Sequence, residues 1–382
     1  MERRNFIKVM GAGAVVLAAA PVLVSNVSSS SDLSFRPALT YSDLRKTLIS
    51  YAMLCPNPHN IQPWKVAFKG EDTILLYVDE DRLLPQTDPI HRQIHIGQGT
   101  FIESLVVAAS HFATKADVQY FPLGEYGNQV LENKPVAAIK LVPDTSIQPD
   151  PLFPYLVTRQ SNKTEYTNAK LTDTELNAIL NVVETKGSEL RLVQTEEYNQ
   201  EMRHFLNQAM EIEEQKSSRS LETIGMFRFN DDEFKQYRDG FGLPQNGVLG
   251  AKRWVAEQFF LSRESAEKDP TAFGKEGVKL TKAVTASTHH FAMLITEGNT
   301  RKDQLKVGRL YNRINLVTAS MGIAQHPMSQ ILQEYQDMLP LQESFKQHFN
   351  VHKAHTVQMV FRLGKAKPTP ESPRREVSDL LI

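Results

Sequence analysis

The 382-residue chain carries 43 basic and 44 acidic side chains, a formal net charge of −1, which gives no electrostatic case for nucleic acid as a partner. Hydrophobic residues are 41% and charged residues 23%, a globular balance in a chain long enough for two units of ordinary domain size. Its one cysteine, Cys55, excludes an intramolecular disulfide and any cysteine cluster for a metal.

The first residues read as an address rather than as fold. MERRNFIK is a basic head with Arg3 and Arg4 adjacent, followed by the 16-residue apolar run VMGAGAVVLAAAPVLV and the small polar run SNVSSSS. This is the three-part layout of an export signal, and the apolar run is short for a membrane span. RRNFIK resembles the twin-arginine motif, whose export route carries proteins already folded. Residues 1–30 are therefore expected to engage the twin-arginine machinery. The protein would then be periplasmic, or held at the outer face of the cytoplasmic membrane if the signal is uncleaved. Pro21 directly after Ala18–Ala20 disfavours cleavage at that bond and leaves both outcomes open.

The first half, 41–150, opens with a helix that Ser42 can cap, with Leu44, Leu48 and Tyr51 on one face. The proline- and asparagine-rich loop CPNPHNIQP (55–63) follows. Trp64, Val66 and Phe68 then alternate with Lys65, Ala67 and Lys69, and Gly70 turns the chain into TILLYVD (73–79), which predicts a hairpin. A Gly-led helix over 97–113 and a strand VAAIKLV (136–142) complete the half.

The second half, 151–376, repeats this order. Thr172 and Glu175 predict a capping box, ELRLV (189–193) a strand, residues 308–322 another Gly-led helix, and TVQMVFRLG (356–364) a closing strand. Aligned on Gly97 and Gly308, Leu105 matches Leu316, Val106 matches Val317 and Ala108 matches Ala319. An insertion over roughly 215–300 is too long for a bare loop and reads as a cap or lid. The Pro-rich tail 365–382 is expected to be extended.

Two stretches could carry chemistry. In TRQSNKTEY (158–166), Arg159, Ser161 and Lys163 alternate, so an extended backbone puts two cations and a hydroxyl on one side, as a phosphate requires. Arg374 and Arg375 form a second basic group in the tail. In PNPHNIQPW (56–64), Pro56 and Pro58 fix the backbone while Asn60 and Gln62 offer amides, which suits one wall of a slot for a planar ring. His91 and His95, one helical turn apart, read as structural, as do His348, His352 and His355, which have no carboxylate nearby; of His289 and His290, at the end of the insertion, one could face the ring.

PNPHNIQPW, together with LYVDEDRLLPQTDPIHRQIHIGQG (76–99), RQSNK (159–163) and SMGIAQHPMSQ (320–330), resembles the nitroreductase superfamily and, more narrowly, its Acg-type FMN-binding branch. The resemblance runs in order from about 41 to 376. It implies an α+β nitroreductase-like fold: two tandem nitroreductase-like halves forming an intramolecular pseudo-dimer, with a helical lid insertion. It implies an FMN phosphate and ribityl segment at Arg159, Ser161 and Lys163, where Lys replaces the usual Arg. The wall from the other half would be Asn57, His59, Asn60 and Gln62, with Asn57 in place of the usual Ser. Pro327, Met328 and Ser329 would pass the reactive edge of the ring, where a backbone N–H could meet flavin N5. Arg374 would be the C-terminal phosphate-side Arg, with Arg375 its neighbour. The first half has no Arg-x-Ser-x-Lys equivalent, so one flavin per chain is expected, and a monomer suffices because both walls lie in one chain.

The resemblance implies an oxidoreductase passing electrons through flavin N5 from a reductant to a nitroaromatic, quinone or similar planar acceptor. No protein side chain is required as catalyst. Its rival is a protein that holds FMN under a closed lid with little NAD(P)H-dependent turnover. Export favours the rival, because NAD(P)H is not expected outside the cytoplasm.

Overall fold

The computed structural model describes residues 35–183 and 187–382, so the segment expected to direct export lies outside the described residues. Among the described residues no helix is long and apolar enough to cross a membrane.

The first half runs α1 (Leu44–Ala52), β1 (Trp64–Lys69), β2 (Thr73–Val78), α2 (Arg92–His111), β3 (Thr114–Tyr120), β4 (Ala137–Pro143). Alternation of buried and half-buried residues in β1 turns Trp64 and Val66 inward, and Gly70 adopts φ +62° so that Trp64 pairs with Val78 and Lys69 with Thr73. The sheet is antiparallel in the order β1-β2-β4-β3.

The second half runs α3 (Asp173–Leu180), β5 (Ser188–Val193), α4 (Glu196–Glu213), α5 (Ser217–Met226), β6 (Phe227–Arg228), α6 (Asp231–Tyr237), β7 (Phe241–Gly242), α7 (Gly250–Phe259), α8 (Arg263–Lys268), α9 (Pro270–Ala286), β8 (His290–Thr296), α10 (Arg301–Ser320), β9 (Ala324–Pro327), α11 (Leu339–His348) and β10 (Thr356–Gly364). Its sheet is also antiparallel, ordered β5-β8-β10-β9. In chain order both sheets pair first, second, fourth and third strand, each with one 20-residue helix between the second and third.

These two helices, α2 and α10, pack on each other. Gly99 and Gly308 face across the crossing: a Cβ on Gly99 would stand 2.9 Å from the Gly308 Cα and closer still to the Leu305 carbonyl oxygen. Asn312 seals the contact, donating to the Ser104 hydroxyl at 2.8 Å. With α10 on one side and the first sheet's core on the other, α2 is buried on nearly every face.

Several expectations are corrected. Asp43, not Ser42, caps α1, accepting from the Arg45 N–H, and Leu44 is turned outward. Neither Gly97 nor Gly308 leads its helix; each lies inside one, and the position opposite Gly308 is Gly99. Strand β3 has too few apolar residues to read as a strand and is held by its ladder with β4. The stretch 215–300 is not uniform, because its last residues form β8, a fully buried central strand. The helices before it carry their own small core of Ile224, Phe227, Phe229, Leu243, Ala256, Leu261 and Ala266. The tail is extended to residue 376 but does not end there. Val377 and Leu380 join the first sheet's core, and the Ile382 N–H donates to the Val66 carbonyl at 3.0 Å.

Candidate functional site

A cavity of about 310 Å³ lies between the loop before β1, the extended segment before α3, strand β9, the helical excursion α5–α9 and the tail. Asn57, His59, Asn60, Arg159, Ser161, Lys163, Pro327, Met328, Ser329 and Arg374 all line it. Gln62 does not. Its side chain is fully buried behind the wall, donating to the Arg238 carbonyl at 2.9 Å and accepting the Arg375 N–H at 2.9 Å. Arg375 likewise turns away, toward Asp79 and the Gln62 carbonyl.

The proline-rich loop is a fastened wall rather than a surface turn. Pro58 packs on α2 where only Gly97 leaves room, since a Cβ there would stand 3.3 Å from the Pro58 Cδ. The Thr100 hydroxyl donates to the Pro56 carbonyl at 2.6 Å, and the Trp64 indole donates to the Gly97 carbonyl at 3.3 Å. His59, Asn60 and Gln62 all have positive φ, at 48°, 55° and 54°, a conformation non-glycine residues hold only where surroundings enforce it. The Asn60 amide enforces it by donating to the Gly240 carbonyl at 2.9 Å and the Pro373 carbonyl at 3.0 Å. That leaves the Asn60 Oδ1 buried at the cavity without a partner.

One end of the cavity is basic. Arg159 is 5% exposed and Arg374 4% exposed, and both are spent on carbonyls: Arg159 donates to Leu54 at 2.6 Å, Arg374 to Met53 at 2.7 Å and Leu54 at 3.1 Å. Asn315 Oδ1 takes the Arg159 Nε at 2.7 Å. Among the described residues no salt bridge forms at Arg159 or Lys163; Glu371, which also lines the cavity, pairs with Arg36 at 3.1 Å, and its charge acts on Arg374 as well. Burial pushes Arg159 down to about 10 and Lys163 down to about 8. Arg374 is pushed well down by burial and then by Arg36 and Arg159. Burial opposes the charge at each of these groups, a cost that an anion in the cavity would relieve. Burial, then the Lys163 charge, holds His59 down at about 4, and burial keeps His326 neutral as well.

Strand β9 pairs with β10, and its last residues reach the cavity. The Met328 N–H is committed to the Val360 carbonyl at 2.7 Å, and proline has none. Of the three residues expected at the ring edge, only the Ser329 N–H is without an acceptor among the described residues.

The other end is acidic, lined by Asp88, Glu213, Glu214 and Glu276. Nothing in the sequence reading pointed there, because these residues lie on three separate stretches with no common spacing. Arg36, Tyr311 and His326 were also missed. His95 bonds the Tyr126 hydroxyl, and the His290 ring accepts the Leu171 N–H. None of the seven histidines singled out from the sequence lines the cavity, and no cluster of metal ligands is found among the described residues.

No family model matches the chain. A stretch of 82 residues, 21% of this chain, is 35% identical to acg of Mycobacterium tuberculosis, which is provisionally named an NAD(P)H nitroreductase. The match spans only 24% of that relative's length. Among solved structures, the FMN- and NADPH-dependent nitroreductase NfnB from sphigopyxis sp. strain HMH is 12% identical, with 60% of this chain and 97% of that one covered at a TM-score of 0.34. A nitroreductase from Bacteroides fragilis, solved with bound FMN, is 14% identical over 57% of this chain and 89% of its own, at 0.30. NfnB from Mycobacterium smegmatis, solved with NADPH, is 11% identical over 59% and 94%, at 0.35. Likeness at these scores does not by itself establish a shared fold.

Proposed function

We propose that this chain is a nitroreductase-like, FMN-binding oxidoreductase, built as two tandem halves that form one flavin site as an intramolecular pseudo-dimer under a helical lid. The observation that carries the reading is the group of buried cations, Arg159, Lys163 and Arg374, lining one cavity, with Glu371 beside Arg36 as the acidic neighbour. Isolated buried charges are costly, and an anion such as a phosphate removes the cost. The 35% identity to acg over 82 residues supports the nitroreductase-like reading. The matching strand orders of the two sheets support the tandem reading.

When bound, FMN supplies hydride and electron transfer at its ring. The chain's own residues would bind, orient and exclude water. Arg159, Lys163 and the Ser161 hydroxyl would hold the phosphate and ribityl end, with Arg374, whose N–H groups all go to carbonyls, adding positive charge only. Asn60 Oδ1, which lacks a partner, would accept from a donor on the ring or ribityl chain. Ser329 would present its N–H at the ring edge, the role Met328 cannot take. The electrons would go to a nitroaromatic, quinone or similar planar acceptor.

A second reading, an FMN-holding protein with little NAD(P)H turnover, is favoured by one observation. The excursion is tied to the flavin-side wall by Asn60–Gly240 and Gln62–Arg238 hydrogen bonds, which would hold it in place over the cavity. An absorbance spectrum of the purified protein, repeated anaerobically with NADH and then dithionite, separates the two. Bleaching by NADH supports the enzyme, and bleaching by dithionite alone supports the holder. A colourless protein that takes up no FMN ends both. Export by the twin-arginine route is proposed with it and is tested by replacing Arg3 and Arg4 with Lys, which should retain the protein in the cytoplasm.

A further inference from the structure

We infer that the acidic end of the cavity is a subsite for the ammonium group of an organic ligand whose planar body lies toward the basic end. The inference rests on the flavin reading only for what occupies that basic end.

Helix α4 ends at Glu213 with Glu214 as its cap, and Glu276 on α9 lines the same cavity. The close approach of the two helices depends on Gly277, where a Cβ would stand 3.0 Å from the Met210 Cε and 3.8 Å from the Glu214 Oε1. Asp88 and Glu213 have internal work. Asp88 accepts the N–H groups of Gln93 and Ile94 at the start of α2, and Glu213 accepts the Tyr335 hydroxyl at 3.2 Å. Glu276 is different. One oxygen takes Lys279 at 2.6 Å; the other, on a residue 5% exposed, has no partner.

A neutral side chain points the same way independently of the carboxylates. Gln333 lines the cavity, is 5% exposed, and its Oε1 has no partner. Buried acceptors without donors are rare in folded proteins and call for a donor from outside. Arg219 cannot supply one, because it is paired with Asp337 at 2.7 Å and stacked on the Tyr335 ring, and Arg92 is committed to the Leu332 carbonyl and Glu334. A ligand N–H that also carries positive charge answers both the orphan acceptors and the carboxylates, whereas an anionic group meets four carboxylates. Burial, and then Glu214, raises Glu213 to about 8, against the opposing pull of Tyr335, Gln330 and Arg219.

The test is calorimetry on the full chain, with and without bound flavin, using para-nitrobenzylammonium, para-nitrobenzyl alcohol and para-nitrobenzoate. The ammonium is expected to bind at least about tenfold more tightly than the alcohol, with the benzoate weakest. Glu276→Gln should remove most of that preference while leaving alcohol binding unchanged. Gln333→Leu keeps every charge in place and should weaken ammonium binding several-fold; it carries the test if Glu276→Gln does not fold. Equal binding of ammonium and alcohol, a preference that survives both variants, or no binding of any probe overturns the inference. Preference without flavin uptake would end the flavin reading and keep the subsite; flavin uptake without preference would do the reverse.

Discussion

The Lys163 ammonium stands 3.6 Å from the centroid of the Phe241 ring, so the helical excursion touches the basic end of the cavity through a cation on an aromatic face. The same ring lies 5.7 Å from that of His59. A desolvated contact of this kind is worth about 0.5–2 kcal/mol. Phe241→Ala should therefore open the cover: FMN should dissociate roughly two- to thirtyfold faster, and NADH should reduce the flavin more readily. Dilution-jump fluorescence of released FMN reads the first effect. An unchanged release rate would mean that Phe241 does not hold the cover shut.

Arg159→Ala separates binding from stability. Losing one charge-assisted hydrogen bond, about 1.5–3 kcal/mol, should weaken FMN binding roughly ten- to a hundredfold. The flavin-free protein should change little in Tm. The variant loses bonds to the Leu54 carbonyl and Asn315, but it also removes a buried charge that has no carboxylate beside it. A fluorescence titration and a thermal melt of the flavin-free protein check the two halves separately. FMN bound at undiminished affinity would defeat the phosphate assignment.

Glu213 should give the folded protein a distinct pH dependence. Its carboxyl is raised to about 8 by burial and by Glu214, against Tyr335, Gln330 and Arg219, which lower it or bond to it. Because the folded state binds the proton more tightly than the unfolded chain, the protonated form is held at low pH. Stability is lost as pH rises from about 4.5 toward about 8. Glu213→Gln, which stays neutral, should flatten that slope. Melts of both proteins at intervals across the window should show their Tm values diverging in the variant's favour as pH rises; parallel curves would contradict the assignment.

Gly99→Ala should destabilise the whole molecule. The added methyl meets the α10 backbone at Leu305 and Gly308 rather than a movable side chain, so the two helices must separate. Overpacking of this kind costs about 1–3 kcal/mol. Gly70→Ala offers a contrast: nothing lies within 4 Å, but φ is +62°, so only backbone strain of about 1 kcal/mol applies. Denaturant midpoints of both variants give the comparison, and a smaller loss at Gly99 than at Gly70 would show that the helices can part.

Local pattern determined much by itself. It located β1, β2, β5 and β10; Thr172 and Glu175 formed their capping box; and Arg159, Ser161 and Lys163 all line the cavity, although Gln160 between them lines it too. These outcomes depend on near neighbours in the chain, which sequence displays directly. Long-range packing decided the rest. Strand β3 exists because β4 offers a ladder. Gln62 turns from the cavity because Arg238 and the tail claim its amide. The acidic end exists only where α4, α9 and the stretch before α2 converge. Whether a polar group faces a ligand depends on which distant donors and acceptors reach it first, and only tertiary structure states that.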